Sequence, residues 1–360
     1  MKKKKNIYIE KNFLKINNYL NNKKNNISKI ILLLDNNIKK YYLNFILKEI
    51  PILKKSKIII IKSGEKYKNI YTCIKIFKKL LLFNIDKNSI LINLGGGVIT
   101  DLGGFISSVY KRGIKFINIP TTLLGMVDAS IGGKNSINFK NLKNEIGIIN
   151  NPILIIINYC FIKTLPKKEI FSGLGEIFKY GLIYDKNYWN FLKNFDFNNF
   201  KNILWDKIIY KAILIKQKIV NKDPEEKLGI RKILNFGHTI GHSIESLFLK
   251  KNKKITHGES IALGMIYESW LSKKVNKLNN NEYKEICNII LKYFKLKLIN
   301  KKYFNTILNY IKNDKKNYKN NIYFSLLTKI GKCQFNKIIK KKLIFDSINK
   351  INKIYFFKKK

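Results

Sequence analysis

The chain has 360 residues, 46% of them hydrophobic, with 71 Lys and Arg against 23 Asp and Glu and a formal charge of +48. That length predicts about two domains, and the apolar content supplies a core large enough to exclude disorder. No apolar run reaches the ~18 residues of a membrane-spanning helix, and Glu10, Lys11 and Lys15 interrupt the segment after the basic start, so the reading is a cytoplasmic protein with no membrane partner.

In chain order, residues 30–34, 57–61, 90–94, 116–119 and 153–157 read as buried strands: short, β-branched, bounded by Gly, Pro, Asn or charge. Helical patterns lie between several of them, as at 67–83 and 101–110. Alternating strands and helices predict an α/β layer with a parallel sheet. After Pro166 the pattern changes to helices at 167–184, 200–221, 233–248 and 258–275. The predicted division is therefore 1–165, an α/β dinucleotide-binding domain, and 166–360, a mainly α-helical domain for metal and substrate.

The basic residues are almost all Lys. Lys, Asn and Ile share AT-rich codons, so drift in base composition explains the charge, and no specific nucleic-acid partner is expected: the Arg forks that grip phosphate and guanine are down to two. The exceptions therefore stand out. The two arginines are Arg112 and Arg231, and all three histidines, His238, His242 and His257, fall within twenty residues of one another. Four scattered cysteines without a CxxC fit a reducing compartment and argue against a disulfide framework or a thiolate zinc site.

Three segments carry chemistry. Gly95-Gly96-Gly97, running on through Val98, Ile99, Thr100 and Asp101, follows a predicted strand and opens a predicted helix, where backbone N–H groups and the helix dipole favour a phosphate. Thr121 and Thr122 follow another strand, at the edge of the sheet where α/β folds bind ligands. Beyond them stand Asp128, alone among apolar and small residues, and Lys134. His238 and His242, at i and i+4, share a helix face. With His257 and a carboxylate, best Glu176 in Ser172-Gly173-Leu174-Gly175-Glu176, they would make a metal site with an open position. Spacing does not decide which of His238 and His242 is the ligand.

These motifs, with Lys143-Asn144, Lys179, Arg231 and His257-Gly258-Glu259, resemble in content and order the 3-dehydroquinate synthase family, strongly over about residues 60–265. The resemblance implies a cytoplasmic homodimer that converts 3-deoxy-D-arabino-heptulosonate 7-phosphate to 3-dehydroquinate and phosphate in the shikimate pathway. Catalytic NAD would oxidise a hydroxyl, permit β-elimination of phosphate and return the hydride before an aldol ring closure. One divalent ion, zinc or cobalt, would be held by Glu176, His238 and His257. His242, Lys134 and Asp128 would be catalytic. Arg112, Lys134, Asn144, Lys179, Lys216, Arg231, Asn235, His242 and Lys315 or Lys316 would hold the anionic substrate. NAD would lie on Asn36, on Ser63, Gly64, Glu65, Lys66, Tyr67 and Lys68, on Gly97 to Asp101, on Thr121, Thr122, Lys134 and Lys143, and on Phe161, Ile162, Lys163 and Thr164. Thr100 departs from the family's usual Gly, placing a Cβ in the turn toward the dinucleotide, and the stretch between Lys216 and Arg231 is one residue long around Pro224. Two alternatives differ in observable ways. Among related metal-dependent polyol dehydrogenases and sugar-phosphate cyclases, an iron-dependent alcohol dehydrogenase would lack the Arg112 and Arg231 anion contacts and would release NADH, whereas a cyclase making a cyclitol could keep most motifs. A nucleic-acid-binding protein would cluster Arg with aromatics.

Overall fold

A computed structural model describes residues 6–140, 142–200, 202–251, 253, 255–295, 297–312 and 321–358. The chain forms two compact units, residues 1–166 and 167–360.

The first unit is an α/β layer. Its sheet comprises β1 (Ile7–Ile9), β2 (Ile30–Asp35), β3 (Lys57–Ile61), β4 (Ile90–Gly95), β5 (Lys115–Pro120) and, after a hairpin, β8 (Leu154–Ile157). All neighbours pair parallel, in the order β1-β8-β5-β4-β2-β3. The central strands β2 and β4, Ile-Ile-Leu-Leu-Leu-Asp and Ile-Leu-Ile-Asn-Leu-Gly, are buried almost throughout, as a parallel sheet covered on both faces demands. Helices α1 (Leu14–Asn21), α2 (Asn36–Glu49), α3 (Ile70–Leu82) and α4 (Gly97–Val109) cover it. Because β3 lies on one side of β2 and β4 on the other, the winding reverses between β2 and β4. A ligand crevice forms at the carboxyl ends of strands at such a point.

The hairpin β6 (Lys134–Phe139) and β7 (Leu142–Ile149) was not foreseen. It packs on α4, where Gly104 admits Asn135: a Cβ there would stand 1.9 Å from the Asn135 Oδ1. β7 is mostly exposed, and β6 buries Asn135 and Ile137, so an Asn stands where hydrophobic alternation would call for an apolar residue. Strand β1 is too short to leave a pattern.

The second unit contains α5 (Lys167–Tyr184), α6 (Lys186–Lys193), α7 (Trp205–Lys222), α8 (His238–Lys250), α9 (His257–Val275), α10 (Asn280–Tyr293), α11 (Phe304–Lys312), the antiparallel pair β9 (Tyr323–Lys329) and β10 (Lys332–Ile338), and α12 (Lys341–Lys358). The β9–β10 pair accompanies the helices of this mainly α-helical unit. The helix expected over 233–248 is instead a 3-10 turn, Ile230–Asn235, followed by α8, because Gly237 adopts φ 80 between them. Helix α9 is buried at nearly every residue from Gly258 to Ser272, the mark of a helix surrounded by others. Its neighbours approach closely through missing side chains. A Cβ on Gly258 would stand 2.0 Å from the Ser172 carbonyl of α5, and one on Gly264 1.9 Å from the Gly237 carbonyl at the start of α8.

Candidate active site

In the first unit the expected cofactor residues gather at the carboxyl ends of the strands. β4 ends at Gly95, and α4 opens at Gly97 with no side chain capping it. Its first N–H groups and the positive end of its dipole are thus available to an anion, and the cradle fits a pyrophosphate. None of the three glycines has positive φ; closeness is what they supply. A Cβ on Gly96 would lie 2.8 Å from the Thr122 Cγ2, and one on Gly97 3.2 Å from the Ala129 Cβ. Thr100 corrects the sequence reading. It sits inside α4, 1% exposed, and its hydroxyl donates to the Gly97 carbonyl at 3.2 Å, so its Cβ does not stand in the turn.

Around this turn, Asn36 opens α2 behind its cap Asp35, and the Asn37 amide reaches Ser63 at 3.4 Å. Gly64 takes φ 116 to lead into the turn of Glu65, Lys66 and Tyr67. Phe161 and Ile162 are buried; Phe161 packs edge-on against Phe13 and Tyr42. Their side chains serve the core, which leaves Lys163 and Thr164 exposed beside them.

A polar network that the sequence did not reveal joins several of these positions. Lys68, 4% exposed, donates to Asp101 Oδ2 and to Asn144 Oδ1, each at 2.5 Å. Burial pushes the Asp101 carboxyl up from its ordinary range, and Lys68 opposes that shift. Asn144 also accepts from Ser136, and its amide donates to Asn138, which in turn donates to Glu65; Lys143 lies 4.0 Å from the same Glu65. Residues expected on cofactor and on substrate are therefore held in one network. Asp128, half-buried in a turn of π-helix over Gly125–Ala129, is close enough for Asp101 to feel its charge. Lys134 opens β6, exposed. Arg112 lies beyond the other end of α4, about 20 Å along the helix from the glycine turn, and is exposed.

In the second unit three helices converge. Glu176 comes from α5 and is fully buried. His238 is the first residue of α8, and His257 the first of α9. Their positions are fixed from outside the ring atoms. A Thr256–Glu259 capping box starts α9. Gly237 has no side chain to cap α8, so the buried Glu268 of α9 accepts from the Gly237 and Ile240 amides at 2.7 and 2.9 Å. The Nε2 atoms of His238 and His257 stand 3.3 and 3.5 Å from Glu176 Oε1. Two donors bound tetrahedrally at zinc distances are about 3.3–3.4 Å apart, so the donor set and its spacing fit one divalent cation. The three imidazoles also share a cluster of ligand atoms within 4.8 Å, with His242 the third.

Lys179 forms a short ion pair with the other oxygen of Glu176. Burial works against the Glu176 carboxylate, but Lys179 and the imidazoles hold it well below the usual range. Burial and Lys179 depress His238 to about 4. Burial would depress His257 as well, yet Glu176 and Glu245 raise it to about 9. Lys216 on α7 and Arg231 in the 3-10 turn are buried cations, 6% and 3% exposed. Asp223 accepts from the Leu228 and Arg231 amides and shapes the loop that carries Arg231. Asn235 is half-buried ahead of α8. Lys315 and Lys316 lie outside the described residues. Glu245 was missed, although His238, His242 and Glu245 follow i, i+4, i+7, one face of a helix.

Comparison with known proteins decides the family. Residues 58–172 match the 3-dehydroquinate synthase N-terminal domain and residues 173–317 its C-terminal domain. The chain belongs to the 3-dehydroquinate synthase family. It is 36% identical to the 3-dehydroquinate synthase of Parabacteroides distasonis, covering 89% of this chain and 90% of that one, and 38% identical to that of Pelagibacter ubique, covering 92% of each. The fold is shared more widely. The 2-epi-5-epi-valiolone synthase of Streptomyces hygroscopicus, solved with NAD+ and Zn2+, superposes with a TM-score of 0.83 at 22% identity and covers 96% of each chain. The glycerol dehydrogenase of Schizosaccharomyces pombe gives 0.64 at 13%, covering 96% of this chain and 88% of that one. No helix among the described residues is long and apolar enough to cross a membrane.

Proposed function

We propose that this chain is a 3-dehydroquinate synthase that converts 3-deoxy-D-arabino-heptulosonate 7-phosphate to 3-dehydroquinate and phosphate with catalytic NAD and one divalent metal ion. The observation that carries the reading is the Glu176, His238 and His257 cluster, spaced for a single ion, within a chain of this family. When bound, NAD supplies reversible hydride transfer, and zinc or cobalt supplies Lewis acidity toward the hydroxyl being oxidised.

The residues divide the remaining work. The open amino end of α4, with Thr121 and Thr122 beside it, receives the dinucleotide phosphates, and the Asn36, Ser63 and Gly64 to Lys68 segments flank them. Lys68 neutralises Asp101 and fixes Asn144, so both enter the reaction already oriented. Lys179, Lys216, Arg231 and Asn235 hold the substrate's carboxylate, hydroxyls and phosphate, since an anionic substrate requires charge-assisted donors. Family resemblance adds Lys134, Asp128 and Asn144 to the residues that act on the substrate. A ring nitrogen of His242, beside His238 with ring centroids 5.0 Å apart, moves the proton in the elimination. The active form is a cytoplasmic homodimer.

The test is direct. Purified protein with NAD+, Zn2+ or Co2+ and the heptulosonate phosphate releases phosphate with no net accumulation of NADH. Steady NADH build-up without phosphate would make it a dehydrogenase of the same fold.

A further inference from the structure

The two imidazoles that face Glu176 are held differently at their far nitrogens. His238 Nδ1 meets the Phe236 carbonyl at 3.2 Å, a neutral acceptor. His257 Nδ1 meets the carboxylate of Glu245 at 3.4 Å. Glu245 is 4% exposed and lies on α8, whereas His257 lies on α9. The contact therefore ties together the two helices that deliver imidazoles to the cluster. Each Nδ1 has an acceptor, so in the neutral rings the proton resides there, and both Nε2 lone pairs point at the side where Glu176 stands.

We propose that Glu245 is a positioning residue for the metal centre: its carboxylate fixes the tautomer and ring plane of His257 and raises the electron donation of Nε2 to the ion. This rests on the metal reading above. Glu245 itself does not reach the ion. It acts through the ring, because a carboxylate hydrogen-bonded to the remote nitrogen makes an imidazole a stronger and better-aimed ligand. The structure also explains why His257 needs such a partner more than His238 does. His238 is 11% exposed at its side chain, whereas His257 is 25% exposed and has less packing around its ring.

The test loads metal-free wild type, Glu245→Gln and Glu245→Ala with Co2+ and reads the dissociation constant by chelator competition, together with the visible absorption of the bound cobalt. In Glu245→Ala the constant rises ~10–100-fold, the usual cost of losing an outer partner of a ligand, and the absorption band shifts. Glu245→Gln, which still offers an oxygen to Nδ1 but no charge, falls between. Wild-type affinity in both variants, or weaker binding with an unchanged band, overturns the proposal. If Glu245→Ala does not fold, Glu245→Gln decides by the same two readings. Failure of the wild type to bind one equivalent of Co2+ would instead refute the metal reading.

Discussion

The glycine turn of the first unit and the histidine cluster of the second are built from opposite materials. The turn is made of backbone: an uncapped helix start on a sheet edge, with glycines admitting Thr122 and Ala129 at close range. The cluster is made of side chains on three helices, and its glycines serve elsewhere, letting α5 and α8 press against α9. A backbone site survives any change that leaves the chain path intact. A side-chain site fails when either a donor or the packing behind it is lost.

The largest expected effect breaks the second kind of site directly. His257→Ala removes a metal ligand, and turnover falls by more than ~10³-fold, the scale of the several kcal/mol a Lewis-acidic ion supplies. Circular dichroism of the variant stays that of the wild type. Full activity with stoichiometric metal would refute the ligand assignment.

The next pair sets packing against packing. Gly264→Ala drives a Cβ into the Gly237 carbonyl and costs about 3 kcal/mol or more, lowering the melting temperature and the metal content together. Gly96→Ala meets only the side chain of Thr122, at 2.8 Å from Cγ2 and 3.2 Å from Oγ1, and no backbone. It should weaken NAD binding with a smaller loss of stability. Equal metal retention in both variants would erase the contrast.

Protons sharpen it further. In the metal-free protein His257 titrates near 9 and His238 near 4. At pH 7.5 His257 is protonated and His238 is not, so Zn2+ binding releases one proton, and apparent affinity rises with pH until about 9. The same raised value means that His257 stabilises the metal-free fold below its unfolded value, about 6.5, and that this contribution is lost as pH climbs through 9. Calorimetry in buffers of different ionisation enthalpy counts the protons; two per ion would contradict the assignment.

The smallest effect belongs to Thr100→Gly. Because Thr100 is turned into α4, the change leaves NAD affinity within about twofold and costs about 0.3–0.5 kcal/mol of intrinsic helix propensity.

Legibility in the sequence followed the same divide. The Gly95-Gly96-Gly97 turn and the rare histidines stood out because the rest of the chain is uniform in Lys, Asn and Ile. Glu176 was found from its neighbouring glycines. What stayed hidden was how the polar residues connect: Lys68 and Asn144 were expected on cofactor and substrate, but only the fold shows Lys68 bridging Asp101 and Asn144. Glu245 was hidden for the opposite reason. Its helical spacing was in view, but a carboxylate that touches a ligand rather than an ion has no motif of its own. The hairpin of β6 and β7 escaped because its partner is α4 rather than the main sheet, so no alternation marks it.

The most direct test is X-ray absorption at the zinc edge of the loaded protein. The account predicts two imidazole nitrogens and one carboxylate oxygen at about 2.0–2.2 Å, from His238, His257 and Glu176. Three imidazoles around the ion, with His242 in place of the carboxylate, would contradict it.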